Sequence, residues 1–103
     1  MMPAKNIINF DDFILQNNYD IDCYLLERIC INFVYDVRIS YMPVESVEDT
    51  INYICNTNNF IYENTIAIYY CNRNFCKILI IPNHTLDTII NIINRFLQLK
   101  AFI

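Results

Sequence analysis

The sequence predicts a small mixed α/β domain of the α+β kind, a single-domain two-layer sandwich with elements in the order (β)αβαββα. Three observations carry that expectation. The runs Thr-Ile-Ala-Ile-Tyr-Tyr-Cys at 65–71 and Phe-Cys-Lys-Ile-Leu-Ile-Ile at 75–81 are strand-like and separated by three residues, which is hairpin spacing. Beyond them, Leu86, Ile89, Ile90, Ile93, Phe96 and Leu97 recur at helical spacing, with Asp87, Asn91, Asn94, Arg95 and Gln98 opposite. Finally, 103 residues of which 55% are hydrophobic suit one core and leave no room for a second.

The remaining elements follow in chain order. Residues 6–10 read either as a short strand or as the lead into a helix. Asn9 then precedes Phe10, Phe13 and Ile14, spaced as one helical face, with Asp11 and Asp12 favourable near the positive end of the dipole. Asn17 and Asn18 end this helix, because asparagine tolerates the left-handed conformation. Residues 22–41 carry two competing patterns. Apolar residues at every odd position from Ile29 to Tyr41 spell a strand, whereas Leu26, Ile29, Phe33 and Val37 share a helical stripe with Asp22 as N-cap. The expectation is a helical turn over 22–28 and a long strand over about 30–41. Pro43 opens the next helix, its first turns hold Glu45, Glu48 and Asp49, and Val44, Val47, Ile51 and Ile54 form its buried face. In the C-terminal hairpin, asparagines of Asn72-Arg73-Asn74 are expected to accept a positive φ. Pro82 stops the second strand, and Asn83 or Thr85 caps the amphipathic helix.

The chain contains no glycine. That removes the dinucleotide fingerprint, the phosphate-binding loop and the nucleophile elbow, each of which needs backbone that glycine permits. Twenty isoleucines and fifteen asparagines share AT-rich codons, which points to an AT-rich genome such as that of a virus or intracellular parasite. The net charge of −4 speaks against a nucleic-acid binder. It hides an asymmetry: residues 1–63 carry −7 and residues 64–103 carry +3, so the C-terminal part could face an acidic partner or another copy. No apolar run reaches the ~18 residues of a membrane span, and no signal peptide is evident. Asn83-His84-Thr85 spells a glycosylation acceptor that matters only in a secreted chain. Five cysteines at irregular spacing suit reduced thiols in a cytosol or nucleus better than a disulfide framework.

Few side chains offer chemistry. Ser40 and Ser46 have no histidine near them in sequence, and His84 is the sole histidine. Cys71 and Cys76 form one loosely spaced pair, short of the two tight pairs of a structural zinc site, so neither metal nor cofactor is expected. They flank the hairpin turn, where a redox-sensitive bridge is the alternative to two buried thiols. With residues 6–10 as a strand, the element order resembles a minimal thioredoxin-like domain, but C-x-x-C is missing and no low-pKa thiol is implied. The tyrosines offer contact surface instead. Tyr41, Tyr62, Tyr69, Tyr70, Arg73 and Lys77 are the candidate interaction residues, since alternate strand faces cannot all be buried.

The run Leu25-Leu26-Glu27-Arg28-Ile29-Cys30-Ile31-Asn32-Phe33-Val34-Tyr35-Asp36-Val37-Arg38, followed by Pro43 to Asn59-Phe60-Ile61, resembles the second half of elongin C and its BTB-type adaptor relatives. The resemblance implies a helix over residues 23–35 and a ubiquitin-ligase adaptor that grips a partner helix. From the scarcity of reactive side chains and the absence of glycine, the expected function is a non-catalytic interaction or structural subunit, intracellular, with host or assembly proteins, or further copies of itself, as partners. An elongin C-like adaptor and a thiol redox protein are the alternatives.

Overall fold

The computed structural model describes residues 4–34, 36–43, 49 and 64–101. Among them the chain forms four strands and three helices: β1 (Ala4–Asn9), α1 (Phe10–Asn17), α2 (Cys23–Phe33), β2 (Arg38–Met42), β3 (Asn64–Cys71), β4 (Cys76–Pro82) and α3 (Leu86–Ala101). The expected helix after Pro43 lies outside the described residues, as does Tyr62. The strands make one mixed sheet in the order β1-β3-β4-β2, with β1 parallel to β3 and the other pairs antiparallel. The fold class is thus mixed α/β.

Both readings of the first segment are realised in succession, because β1 ends directly in the cap of α1. The Asn9 carboxamide oxygen accepts from the N–H groups of Asp11 (2.9 Å) and Asp12 (3.2 Å). This satisfies two of the donors that a helix start leaves open. Asn18 closes the helix in the left-handed region at φ 55°, ψ 44°. Asp36 (φ 61°) and Asn83 (φ 59°) also take left-handed backbone, so short polar side chains supply the turns of a chain without glycine.

The long strand expected over about 30–41 is not formed: residues up to Phe33 are helical, and the strand is confined to Arg38–Met42. Burial explains which pattern prevails. Leu26, Ile29 and Cys30 are buried at helical spacing, while Ile31 and Phe33, inward under a period of two, are 52% and 58% exposed. The Asp22 carboxylate fixes the start of the helix by accepting from the Leu25 N–H at 2.7 Å.

The hairpin turn also differs from expectation. None of Asn72, Arg73 and Asn74 has positive φ. Instead, the Asn72 side chain accepts from the N–H groups of Asn74 (2.8 Å) and Phe75 (2.9 Å), an Asx-type substitute for a backbone turn. At the start of α3 the alternative resolves to Thr85, whose hydroxyl accepts from the Thr88 N–H at 3.2 Å.

Residues of all three helices share one core with one face of the sheet. Phe10 and Phe13 of α1, Leu26, Ile29 and Cys30 of α2, and Ile89 and Ile93 of α3 pack with Ile66, Ile68, Leu79 and Ile81. On the opposite face, Met42, Ala67, Cys76, Ile78 and Ile80 form a second buried cluster. Strand β4 is therefore buried on both faces, which is why its sequence reads as a continuous apolar run instead of alternating.

Candidate functional site

Near the hairpin end of the sheet, the helix-facing side carries polar and aromatic side chains in place of aliphatic ones. Strand register builds this directly. Lys77 on β4 lies opposite Tyr70 on β3 and opposite Tyr41 on β2, so the three occupy neighbouring positions across three strands. Two residues further along the central strand, Leu79 points into the core, so Lys77 marks where the apolar layer ends.

Helix α2 covers this row. The Lys77 ammonium donates to Glu27, and only 16% and 18% of the two side chains remain exposed. The Lys77 Nζ lies 5.4 Å from the centre of the Tyr24 ring and 5.7 Å from that of Tyr41, within cation–π range of both. The hydrogen bond with Glu27 raises the Lys77 pKa above its ordinary value of 10.5, against the opposite pull of burial. Lys77 is therefore a fixed cation that organises the rings around it.

Those rings are presented to solvent. Tyr24 is 69% and Tyr41 63% exposed, and Tyr70 and Phe75 are each 38% exposed. Tyr41 packs edge-on against Phe75 with ring centres 5.4 Å apart, and Tyr70 does the same against Phe10 at 6.0 Å. Such edge contacts set the orientation of side chains that would otherwise be free to rotate. A cavity of about 20 Å³ sits beneath, lined among others by Phe10, Cys23, Glu27, Tyr70 and Lys77. That is room for about one water molecule and too little for an organic substrate.

The structure brings Tyr41, Tyr70 and Lys77 together and separates Tyr69 and Arg73 from them. Tyr69 lies on the opposite sheet face, packed against the second cluster, and Arg73 is exposed in the hairpin loop. Sequence reasoning missed Tyr24, Glu27 and Phe75. Tyr24 and Glu27 are one helical turn apart, which places them on a common face, but no sequence signal joins Glu27 to Lys77 at a separation of 50 positions.

Cys71 and Cys76 are joined by a disulfide, where composition favoured reduced thiols. The reason is register: they face each other directly across β3 and β4, with Cα atoms 4.0 Å apart. Among the described residues Cys23 and Cys30 are free. Burial, with the negative charge of Asp22 adding to it, raises the Cys23 thiol, and burial alone pushes Cys30 up to about 12. Neither is activated as a nucleophile. The His84 Nδ1 sits 2.8 Å from the Pro82 carbonyl oxygen, beyond the far end of β4. That is roughly 20 Å along the strand from Cys76. Among the described residues no three His, Cys, Asp or Glu side chains gather as metal ligands, and no helix is long and apolar enough to cross a membrane. In comparisons with known proteins the chain matches no family model, no curated protein and no solved structure.

Proposed function

We propose that this chain is a non-catalytic interaction subunit that binds a protein partner through Tyr24, Tyr41, Tyr70 and Phe75. One observation carries this reading: four large, exposed apolar side chains gather at one end of the sheet, Tyr24, Tyr41 and Tyr70 beside a shielded Lys77–Glu27 pair and Phe75 against Tyr41. Rigid aromatic side chains with polar tips are the residue type that dominates binding energy at protein interfaces. The architecture proposed with it is a small α+β domain whose helices close one face of the sheet, supported by the core that all three share with that face. The expected order (β)αβαββα differs from the one described, in which α2 stands between α1 and β2. An intracellular setting in a virus or parasite with an AT-rich genome belongs to the same proposal and rests on composition.

A photo-crosslinker placed at position 41, in cells of the native source, tests the reading. The expected result is a discrete crosslinked protein that disappears when Tyr24→Ala is added and is not obtained from a crosslinker at the exposed position Gln98. Equal products from both positions would remove the reading. A crosslinked cullin, or a protein carrying a BC-box helix, would instead favour the elongin C-like adaptor.

The Cys71–Cys76 disulfide favours a second reading, a thiol redox protein. Its chemistry would be exchange with an external dithiol: a thiolate attacks one sulfur and expels the other cysteine as a thiolate. The second external thiolate then attacks the external sulfur of the mixed disulfide, forming the external disulfide and releasing the remaining cysteine thiolate, so the bridge is reduced and the dithiol oxidised. The folded protein would then cycle between bridge and two thiols in a dithiol buffer. A bridge that opens only on unfolding removes this reading.

A further inference from the structure

We propose that the groove between α2 and α3 receives helix α1 of a second copy of this chain. Two adjoining cavities, of about 320 and 230 Å³, share Phe33 and Phe96 as lining. Their floor is apolar, with Ile92 and Leu99 completing one cavity and Leu25 and Ile29 the other. Phe33 and Leu99 are 58% and 65% exposed, which is unusual for side chains with no polar atom. Arg95 borders the first cavity and Arg28 the second, and among the described residues neither has an ion-pair partner. The groove therefore asks for an apolar knob flanked by carboxylates.

Helix α1 presents that pattern. Leu15 is 80% exposed, the most exposed of the large apolar side chains among the described residues. Asp11 and Asp12, both exposed, precede it by four and three residues and so lie on the same helical face. Among the described residues neither carboxylate has a hydrogen-bond or ion-pair partner; the contacts of Asp11 and Asp12 are made by their backbone N–H groups. Leu15 enters beside Phe33 and Phe96, and the two aspartates meet Arg28 and Arg95 at the rim. Of the charges involved, Asp11 and Asp12 belong to the segment that carries −7 and Arg95 to the segment that carries +3. Each copy offers both knob and groove, and a twofold axis that pairs knob with groove twice closes the proposed dimer. This surface is separate from the aromatic patch, and the two proposals stand or fall independently.

Sedimentation velocity of the full chain, up to about 1 mM, reads the outcome. The wild type is expected to associate reversibly. Leu15→Asp should raise the dissociation constant about thirtyfold or more, as loss of a central apolar anchor does. Because Leu15 is exposed, folding is retained, and Leu15→Ser gives the same direction if the charge itself disturbs α1. The charge variants Arg28→Glu/Arg95→Glu and Asp11→Lys/Asp12→Lys should each dissociate alone and assemble when mixed, since mixing restores opposite charges at both contacts. A wild type that stays monomeric at the highest concentration overturns the proposal. So does association unchanged by Leu15→Asp, or a mixed pair that fails to assemble.

Discussion

Replacing Phe13 by alanine will destabilise the fold by about 3–5 kcal/mol, the range for deleting a large buried ring. Phe13 is 1% exposed and sits where the first helix meets the common core, its ring 5.7 Å from that of Tyr19. The void cannot close readily, because other members of the same core cluster, Leu26, Ile81 and Ile93 among them, are themselves nearly fully buried on helices and strands. Domains of this size have a total stability of about 5–15 kcal/mol, so the variant is left near its folding threshold. Urea unfolding followed by circular dichroism measures the loss. Leu15→Ala in the same helix is the control, expected within about 0.5 kcal/mol of the wild type because Leu15 is exposed. A Phe13→Ala loss as small as the control's would mean that the helices do not share one cooperative core.

The second large effect appears with pH. An unfolded Cys30 releases its proton near the ordinary value of 9.0, whereas burial holds the folded thiol protonated up to about 12. Between these values the unfolded chain binds fewer protons than the folded one, so stability must fall as pH rises. The slope from this one thiol is about 1.4 kcal/mol per pH unit, on the order of 4 kcal/mol by pH 12. The contribution is fully present below pH 9 and lost progressively above it. Tyr19, raised by burial, and Lys77, raised by its bond to Glu27, act with the same sign, beginning above pH 10. Chemical unfolding from pH 7 to 11 is expected to show this decline, and Cys30→Ala to flatten its first part. An identical slope in the variant would show that Cys30 is not shut away from water in the folded protein.

The elements that the sequence announces are those with a local cause. Asn9 and Asn18 bracket α1 because an N-cap and a left-handed C-cap are chemical properties of asparagine in place. The hairpin and α3 were legible from apolar runs separated by three residues and from a clear helical period. Residues 29–41 were not, because alternating apolar residues also fit a helix when every third or fourth one is large. What decides between the two is packing against distant strands, which local pattern does not contain. The patch divides in the same way. Tyr41, Tyr70 and Lys77 follow from strand alternation near a hairpin, and the register aligns them. Tyr24 and Glu27 join them only because α2 crosses that end of the sheet, a tertiary fact. The Cys71–Cys76 bridge likewise depends on register: a shift of one residue would leave the two cysteines unpaired.

The contact role of the aromatic patch is tested most directly by affinity. The protein crosslinked at position 41 is purified and titrated by calorimetry against the wild-type chain and against Tyr24→Ala/Tyr41→Ala. Loss of two exposed ring anchors beside Lys77 should weaken binding by about a hundredfold or more, while Gln98→Ala binds as the wild type does. Equal affinity of the double variant and the wild type would contradict the account.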